Sequence, residues 1–127
     1  MDKVEAFIEK DAFARHCGVE VLEIGEGTAK GRLEIGPEHL NGVGIVHGAA
    51  IFTLADAVFA AAANSHGFVA VAINVNISYL KSTESGVLYA QAVENNQRGR
   101  IGSYTITITD QTGQTIALFE GLVYRKF

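Results

Sequence analysis

Basic clusters, a pair of cysteines, a signal segment and a membrane-length apolar run are all missing from this chain of 127 residues. Ten lysines and arginines against fourteen acidic residues give a formal net charge of −4. That balance builds no phosphate-binding surface, so nucleic acid is not an expected partner. Cys17 is the only cysteine, which rules out an intrachain disulfide and suits a reducing compartment. It reads as a small packed residue after a helix. The opening MDKVEAFIEKDAFARH is too charged for a signal peptide. The longest apolar run, residues 49–63, is interrupted by Thr53 and Asp56 and is too short to span a bilayer. No membrane association and a cytoplasmic location are the expectation. His16, His39 and His66 are scattered without metal-ligand spacing and read as solvated loop residues. Repeats and low-complexity linkers are lacking too, so residues 1–127 are read as one domain.

What is present is an ordinary globular composition, 48% hydrophobic and 19% charged. Val4, Phe7, Ile8 and Ala12 recur near helical spacing and predict an amphipathic packing helix over 2–16, capped by Asp2 and ended by Gly18. From Val19 the period becomes two. Residues 19–24 and 28–35 predict a hairpin turning at Gly25–Gly27. GPEHLNGVGIV holds the only proline and three glycines and reads as a loop. A long apolar helix follows and ends near 65–67. Strands are then expected over 68–80, 87–94, 100–109 and 114–124, joined by short turns that make neighbours antiparallel. On the first of these, Val71, Ile73, Val75 and Ile77 share one face. The fold class is therefore α+β, an antiparallel sheet with helix on one face. The central helix is apolar nearly all round, so a strongly curved sheet, or a second copy of the chain, must cover it on more than one side.

One charge interrupts that helix. At 100° per residue Asp56 shares its face with Ala49, Phe52, Thr53, Phe59, Ala60 and Ala63, while Ile51, Leu54, Val58 and Ala61 lie opposite as core. Asp56 is either exposed or paired with an arginine, or it is desolvated, with a raised pKa suited to a general base or nucleophile. The helix start offers a second element, because its first N–H groups have no internal partners and sit at the positive end of the macrodipole. Gly48 there either only permits a tight loop or presents an N–H to an acyl-transfer oxyanion. Eight residues separate Gly48 from Asp56, or roughly 12 Å of helix. Both groups must lie about 3 Å from the reacting atoms, so one helix cannot supply both. Two antiparallel copies can. A catalytic site built from these residues requires at least a dimer, with sites at its interface.

Asn41, His47-Gly48-Ala49, Leu54-Ala55-Asp56 and the run VAINVNISYL over 71–80 together resemble the hotdog-fold acyl-CoA thioesterases, and among these the phenylacetic-acid-degradation (PaaI-type) branch. FTLADAVFAAAANSHG and IALFEG add to the likeness, which runs from about residue 13 to the end. The resemblance implies a hotdog fold, in which a curved antiparallel sheet wraps the long central helix, here with a short N-terminal helix added. It further implies a homotetramer built from dimers and metal-free hydrolysis of a CoA thioester without a cofactor, coenzyme A being part of the substrate. Position by position, Asp56 would be the base or nucleophile and Gly48 the oxyanion donor. Asn41 would hold the water or substrate, and His47 would fix the loop presenting Gly48. Phe52 and Phe59 would line an acyl pocket suited to phenylacetyl, aryl or medium-chain groups. In relatives the turn around Asn96–Gly99 lies close to the nucleotide part of CoA, which makes Arg98 and Arg100, with Lys81, candidates for its phosphates.

Two positions depart from the family pattern. Ala49 replaces the second glycine of the motif, and Ala72 stands where some relatives carry a serine that positions water. That role then falls to Asn41 or Thr53. These departures are the features that would favour a non-catalytic acyl-CoA-binding protein. A hotdog hydratase or dehydratase fits less well, because the aspartate follows the thioesterase spacing.

Overall fold

The computed structural model describes residues 3–127; Asp2, the expected cap, lies outside them. The helix expected over 2–16 is two helices, α1 (Lys3–Lys10) and α2 (Ala12–Cys17). Asp11 divides them. Its side chain accepts the Ala14 N–H at 3.0 Å, so a local side-chain bond replaces continued helix and caps α2 instead. Gly18, at φ 88°, closes α2 in the left-handed region.

The predicted hairpin forms from β1 (Val19–Gly25) and β2 (Thr28–Glu34), with a bulge between Val21 and Glu23. The following loop is not featureless. Pro37–His39 make a 3₁₀ turn, and His39, expected to be solvated, is 6% exposed. Its Nδ1 accepts the Gly36 N–H at 2.9 Å, which leaves Nε2–H to donate to the Cys17 carbonyl at 2.6 Å. A histidine with both nitrogens bonded can be buried at little cost. This bond ties the end of α2 to the loop that precedes the central helix, α3 (Gly48–Ala63).

Four strands follow: β3 (Val69–Tyr79), β4 (Val87–Glu94), β5 (Ile101–Asp110) and β6 (Thr115–Lys126). The six strands form one antiparallel sheet in the order β1-β2-β4-β5-β6-β3. Helix α3 lies against it at very short range. A Cβ on Gly31 of β2 would stand 2.6 Å from Val58 Cγ2, and one on Gly121 of β6 would stand 2.5 Å from Phe59 Cζ. The sheet is bare where the helix touches, so Ile51, Leu54, Ala55, Val58, Phe59 and Ala62 seat fully.

Strand β3 is the outermost on its side and pairs only with β6. The alternation expected along it is interrupted by an irregularity between Ala72 and Asn74. The slip pairs Val71 with Tyr124 but Val75 and Ile77 with Gly121 and Phe119, so the residues expected on one face divide between two. Val71, Ile73 and Val75 stay exposed in the single chain, while Ile77 packs against the core. At the same end of the sheet a buried polar cluster forms. Glu94 accepts from the Tyr104 hydroxyl, from Arg125 at 3.1 Å and from His66 at 2.8 Å. His66, another expected loop histidine, is thus part of an ion-pair network. Arg125, 1% exposed, also donates to the carbonyls of Gly99 and Asn96 at 3.0 and 2.6 Å and so holds the β4–β5 turn. Burial pushes Glu94 upward, but the bonds from Tyr104 and His66 and the charges of His66 and Arg125 outweigh it, holding its pKa below the usual range. Burial and the bond to Glu94 push Tyr104 up to about 12.

Removing one partner of a buried ion pair strands the other, so Arg125→Met is expected to cost about 3–5 kcal/mol in denaturant unfolding. A loss under 1 kcal/mol would show that the cluster is not desolvated. Because the folded pKa of Glu94 is depressed, its contribution is present above the unfolded glutamate value, about 4.3, and lost as pH falls through the lower folded value. Melting of Glu94→Gln should therefore vary less with pH on the acid side than melting of the parent.

Candidate active site

The loop entering α3 is built around Asn41. Its Oδ1 accepts the N–H groups of Val43 and Ile45 at 3.0 and 3.2 Å, and its own N–H donates to the Ile45 carbonyl at 2.8 Å. The carboxamide oxygen is engaged in the turn; among the described residues the Nδ2 group has no partner. His47 is the N-cap of α3. Its Nδ1 accepts the Ala49 N–H at 2.9 Å, and its backbone N–H donates to the carbonyl of the buried His39 at 2.7 Å.

These bonds leave one N–H free at the helix start. Ala49 is capped by His47, and Ala50 and Ile51 donate to the His47 carbonyl at 2.9 and 3.3 Å. Gly48, the first helical residue, has no acceptor for its N–H among the described residues. Tyr79, at the end of β3, lies over this glycine: its hydroxyl donates to the Gly48 carbonyl at 3.1 Å. A Cβ on Gly48 would stand 3.1 Å from the tyrosine ring, which would have to give by a few tenths of an ångström to admit it. Burial raises the Tyr79 pKa. In the sequence Tyr79 belongs to the run 71–80 that carries the family resemblance, but nothing there gives it a role beyond that of a strand residue.

Along α3 the positions that keep some exposure are Gly48, Ala49, Phe52, Thr53, Asp56, Ala60 and Asn64. This is the face drawn around Asp56 from the helical wheel, with two corrections. Ala63 is buried, and Phe59 is 1% exposed, its ring seated at Gly121 between Tyr104 and Phe119. Phe52 is the aromatic that remains beside Asp56, edge-on to Phe119 at 5.4 Å. The Thr53 hydroxyl donates to the Ala49 carbonyl at 2.7 Å, leaving its oxygen as an acceptor. Asp56 itself is half-buried, with no hydrogen-bond or ion-pair partner among the described residues. Burial first, and the charge of Asp11 second, raise its pKa above the ordinary aspartate value.

The remaining candidates lie elsewhere. Ala72 is exposed on β3 at the irregularity. Arg98 and Arg100 are exposed in the β4–β5 turn, by the paired ends of β3 and β6, whereas Tyr79 and Gly48 mark the opposite end of β3. Arg100 stacks on Phe127, 5.1 Å from the ring centre, and donates to its carbonyl at 3.2 Å. Lys81 bonds Gln114 at the Tyr79 end. No group of three or more His, Cys, Asp and Glu that could hold a metal ion occurs among the described residues. Nor is any helix among them long and apolar enough to cross a membrane.

Comparison with known proteins places this geometry in a family. Residues 43–117, from the loop before α3 into β6, match the Thioesterase superfamily. A putative esterase of Archaeoglobus fulgidus is 38% identical over 127 aligned residues, covering 98% of this chain and 82% of the relative. The acyl-coenzyme A thioesterase PaaI of Escherichia coli is 37% identical, with 94% and 86% covered. The solved E. coli PaaI structure superposes with a TM-score of 0.93 over 98% of this chain and 91% of its own, at 36% identity. A Streptococcus mutans protein solved with acetyl CoA bound shares 26% identity and a TM-score of 0.80, over 85% and 88% of the two chains. A long helix wrapped by an antiparallel sheet, matched in sequence across more than half its length, makes this chain a hotdog-fold member of the thioesterase superfamily, related to PaaI.

Proposed function

We propose that the protein hydrolyses acyl-CoA thioesters, aryl-acetyl or medium-chain acyl groups being the preferred class. The observation that carries this reading is one helix with an N–H at its first residue and a half-desolvated carboxylate on the same open stripe, neither of them partnered among the described residues. Their separation, roughly 12 Å along the axis, makes them halves of two sites. Strand β3 runs back along α3, with Tyr79 over Gly48 at one end and Ala70 bonded to Asn64 at the other. A second copy pairing antiparallel along the open β3 edge would invert this order and bring Gly48 of one copy toward Asp56 of the other. A long apolar edge without proline or lysine favours such pairing. A tetramer formed from two such dimers is part of the same proposal.

In that site the thioester carbonyl points at the Gly48 N–H, at the positive end of α3. Asp56 takes a proton from water, and the water oxygen attacks the carbonyl carbon. The oxyanion is held by Gly48 until it collapses, the C–S bond breaks, and the protonated Asp56 returns its proton to the departing CoA sulfur. A carboxylate with a raised pKa is a stronger base than an ordinary one, which favours the first step. Attack by the Asp56 carboxylate itself, through an anhydride hydrolysed by water, is the other route open to the same geometry. Phe52 and Thr53 flank the reacting carbon, and Asn41 Nδ2 is free to hold the water or substrate.

Asp56→Ala is expected to lower CoA release by about 10²–10⁴-fold while leaving the oligomeric state unchanged; retention of most activity across a panel of acyl-CoAs would sink this mechanism. Proline is tolerated at a first helical position and has no N–H, so Gly48→Pro removes the donor and should cost about 10²–10³-fold. Mixing the two inactive variants and reassembling them should restore about a quarter of parental activity, since each hybrid dimer holds one intact site. No recovery would mean that Gly48 and Asp56 do not meet across an interface.

A stability measurement tests Asp56 without substrate. Its raised folded pKa means that ionisation costs stability above that value, and that the cost is absent below the unfolded value, about 3.9. Asp56→Asn should therefore melt higher than the parent at pH 7, with the difference closing toward pH 3. A lower Tm at pH 7 would show that the carboxylate has a charged partner in the assembly.

A further inference from the structure

A cavity of about 690 Å³ opens between α1, the C-terminal end of α3 and the strands β1 and β3. Its walls are Ala6 and Phe7 from α1, Ile24, Ala61 and Val69. Asn64 and Ser65 also line it, but both are engaged with backbone groups: Asn64 with Ala60 and Ala70, Ser65 with Ala62 and Gly27. Their polar atoms therefore add little for a ligand to satisfy. Lys10, Asp11 and Gly67 complete the lining. Small-molecule sites are of this size and mostly apolar, with few polar groups.

The cavity meets the catalytic stripe at Asn64. Asn64 is the last member of the open line Asp56, Ala60, Asn64 along α3, so the chamber begins within roughly 12 Å of Asp56 along the axis. Asp11 belongs to the cavity and lies near enough to Asp56 for its charge to act on that carboxylate. A thioester held between Gly48 of one copy and Asp56 of the other has to send its acyl tail away from the open, CoA-bearing side. On the Asp56 side the described cavity is where that tail fits.

Resting on the hydrolase reading above, we propose that this cavity is the acyl chamber of the site, and that the N-terminal helix α1, through Ala6 and Phe7, is the wall that limits acyl length. The acyl pocket is then not confined to the residues around Phe52, and its depth is set by a segment that lies outside the family match at residues 43–117.

Two measurements on the intact chain separate this proposal from the reading it rests on. Calorimetric binding of unhydrolysable S-alkyl CoA thioethers, from ethyl to dodecyl with 2-phenylethyl, reads the chamber without turnover. Ala6→Phe should weaken dodecyl-CoA roughly tenfold, as losing about two methylenes of burial does, and leave ethyl-CoA within about twofold. Ala6→Leu, a smaller change by a good helix former, should move the same ratio less. An unchanged long-to-short ratio in both folded variants overturns the chamber, as does failure of the parent to bind any thioether. So does a change of oligomeric state with no change in that ratio, since the cavity would then be an interface between copies. CoA release by the parent is measured separately. A length preference moved by Ala6→Phe in a protein that releases no CoA would sustain the chamber and overturn hydrolysis.

Discussion

The seat of α3 on the sheet is the contact from which the remaining features follow. Two strand positions, Gly31 and Gly121, have no side chain, and Val58 and Phe59 occupy the space. Each fully buried aliphatic or aromatic side chain along this seam contributes about 1.5–3 kcal/mol, and the short range leaves the helix no freedom to rotate. Because it cannot rotate, the residues left uncovered are determined, and Asp56 lies among them. The same fixed axis aims the N-terminal dipole out of the sheet's edge through Gly48, whose N–H the cap at His47 leaves free. A carboxylate at mid-helix and an amide at its start are thus consequences of one packing decision.

Two acids, Glu94 and Asp56, show how environment divides one chemistry into two roles. Glu94 meets three donors, Tyr104, Arg125 and His66, and its charge is part of the fold. Asp56 has no donor among the described residues and another carboxylate, Asp11, nearby, so its charge opposes folding. A group that the fold does not need and yet retains at a cost to stability is the one available for chemistry.

Much of this was legible from residue order. The period of two gave the strands, the turn residues gave the hairpin, and the apolar run between His47 and Ser65 gave the central helix, while the wheel placed Asp56, Phe52 and Thr53 together. The misses have a common physical origin: partners distant in sequence. The wheel sets Phe59 near Asp56, but it cannot know that Gly121, far along the chain, leaves a slot for that ring. His39 and His66 look like loop residues until the Cys17 carbonyl and Glu94 are brought to them. Arg125, one residue past the final strand expected over 114–124, anchors the β4–β5 turn. At Asp11 the miss is local instead, a capping side chain outcompeting the helix it interrupts. For β3, alternation put Val71, Ile73, Val75 and Ile77 on one face, and it carried no sign of the slip that sets Val71 beside Tyr124 but Val75 and Ile77 beside Gly121 and Phe119.

The bond from Tyr79 to the Gly48 carbonyl joins the least protected strand to the most exacting part of the site. Backbone amides at an open sheet edge exchange their hydrogens through small local openings, whereas those at the centre of α3 require far larger ones. The start of α3 is therefore stiff through the His47 cap and yielding through Tyr79. Its exchange rate is a direct gauge of how firmly the edge strand is held.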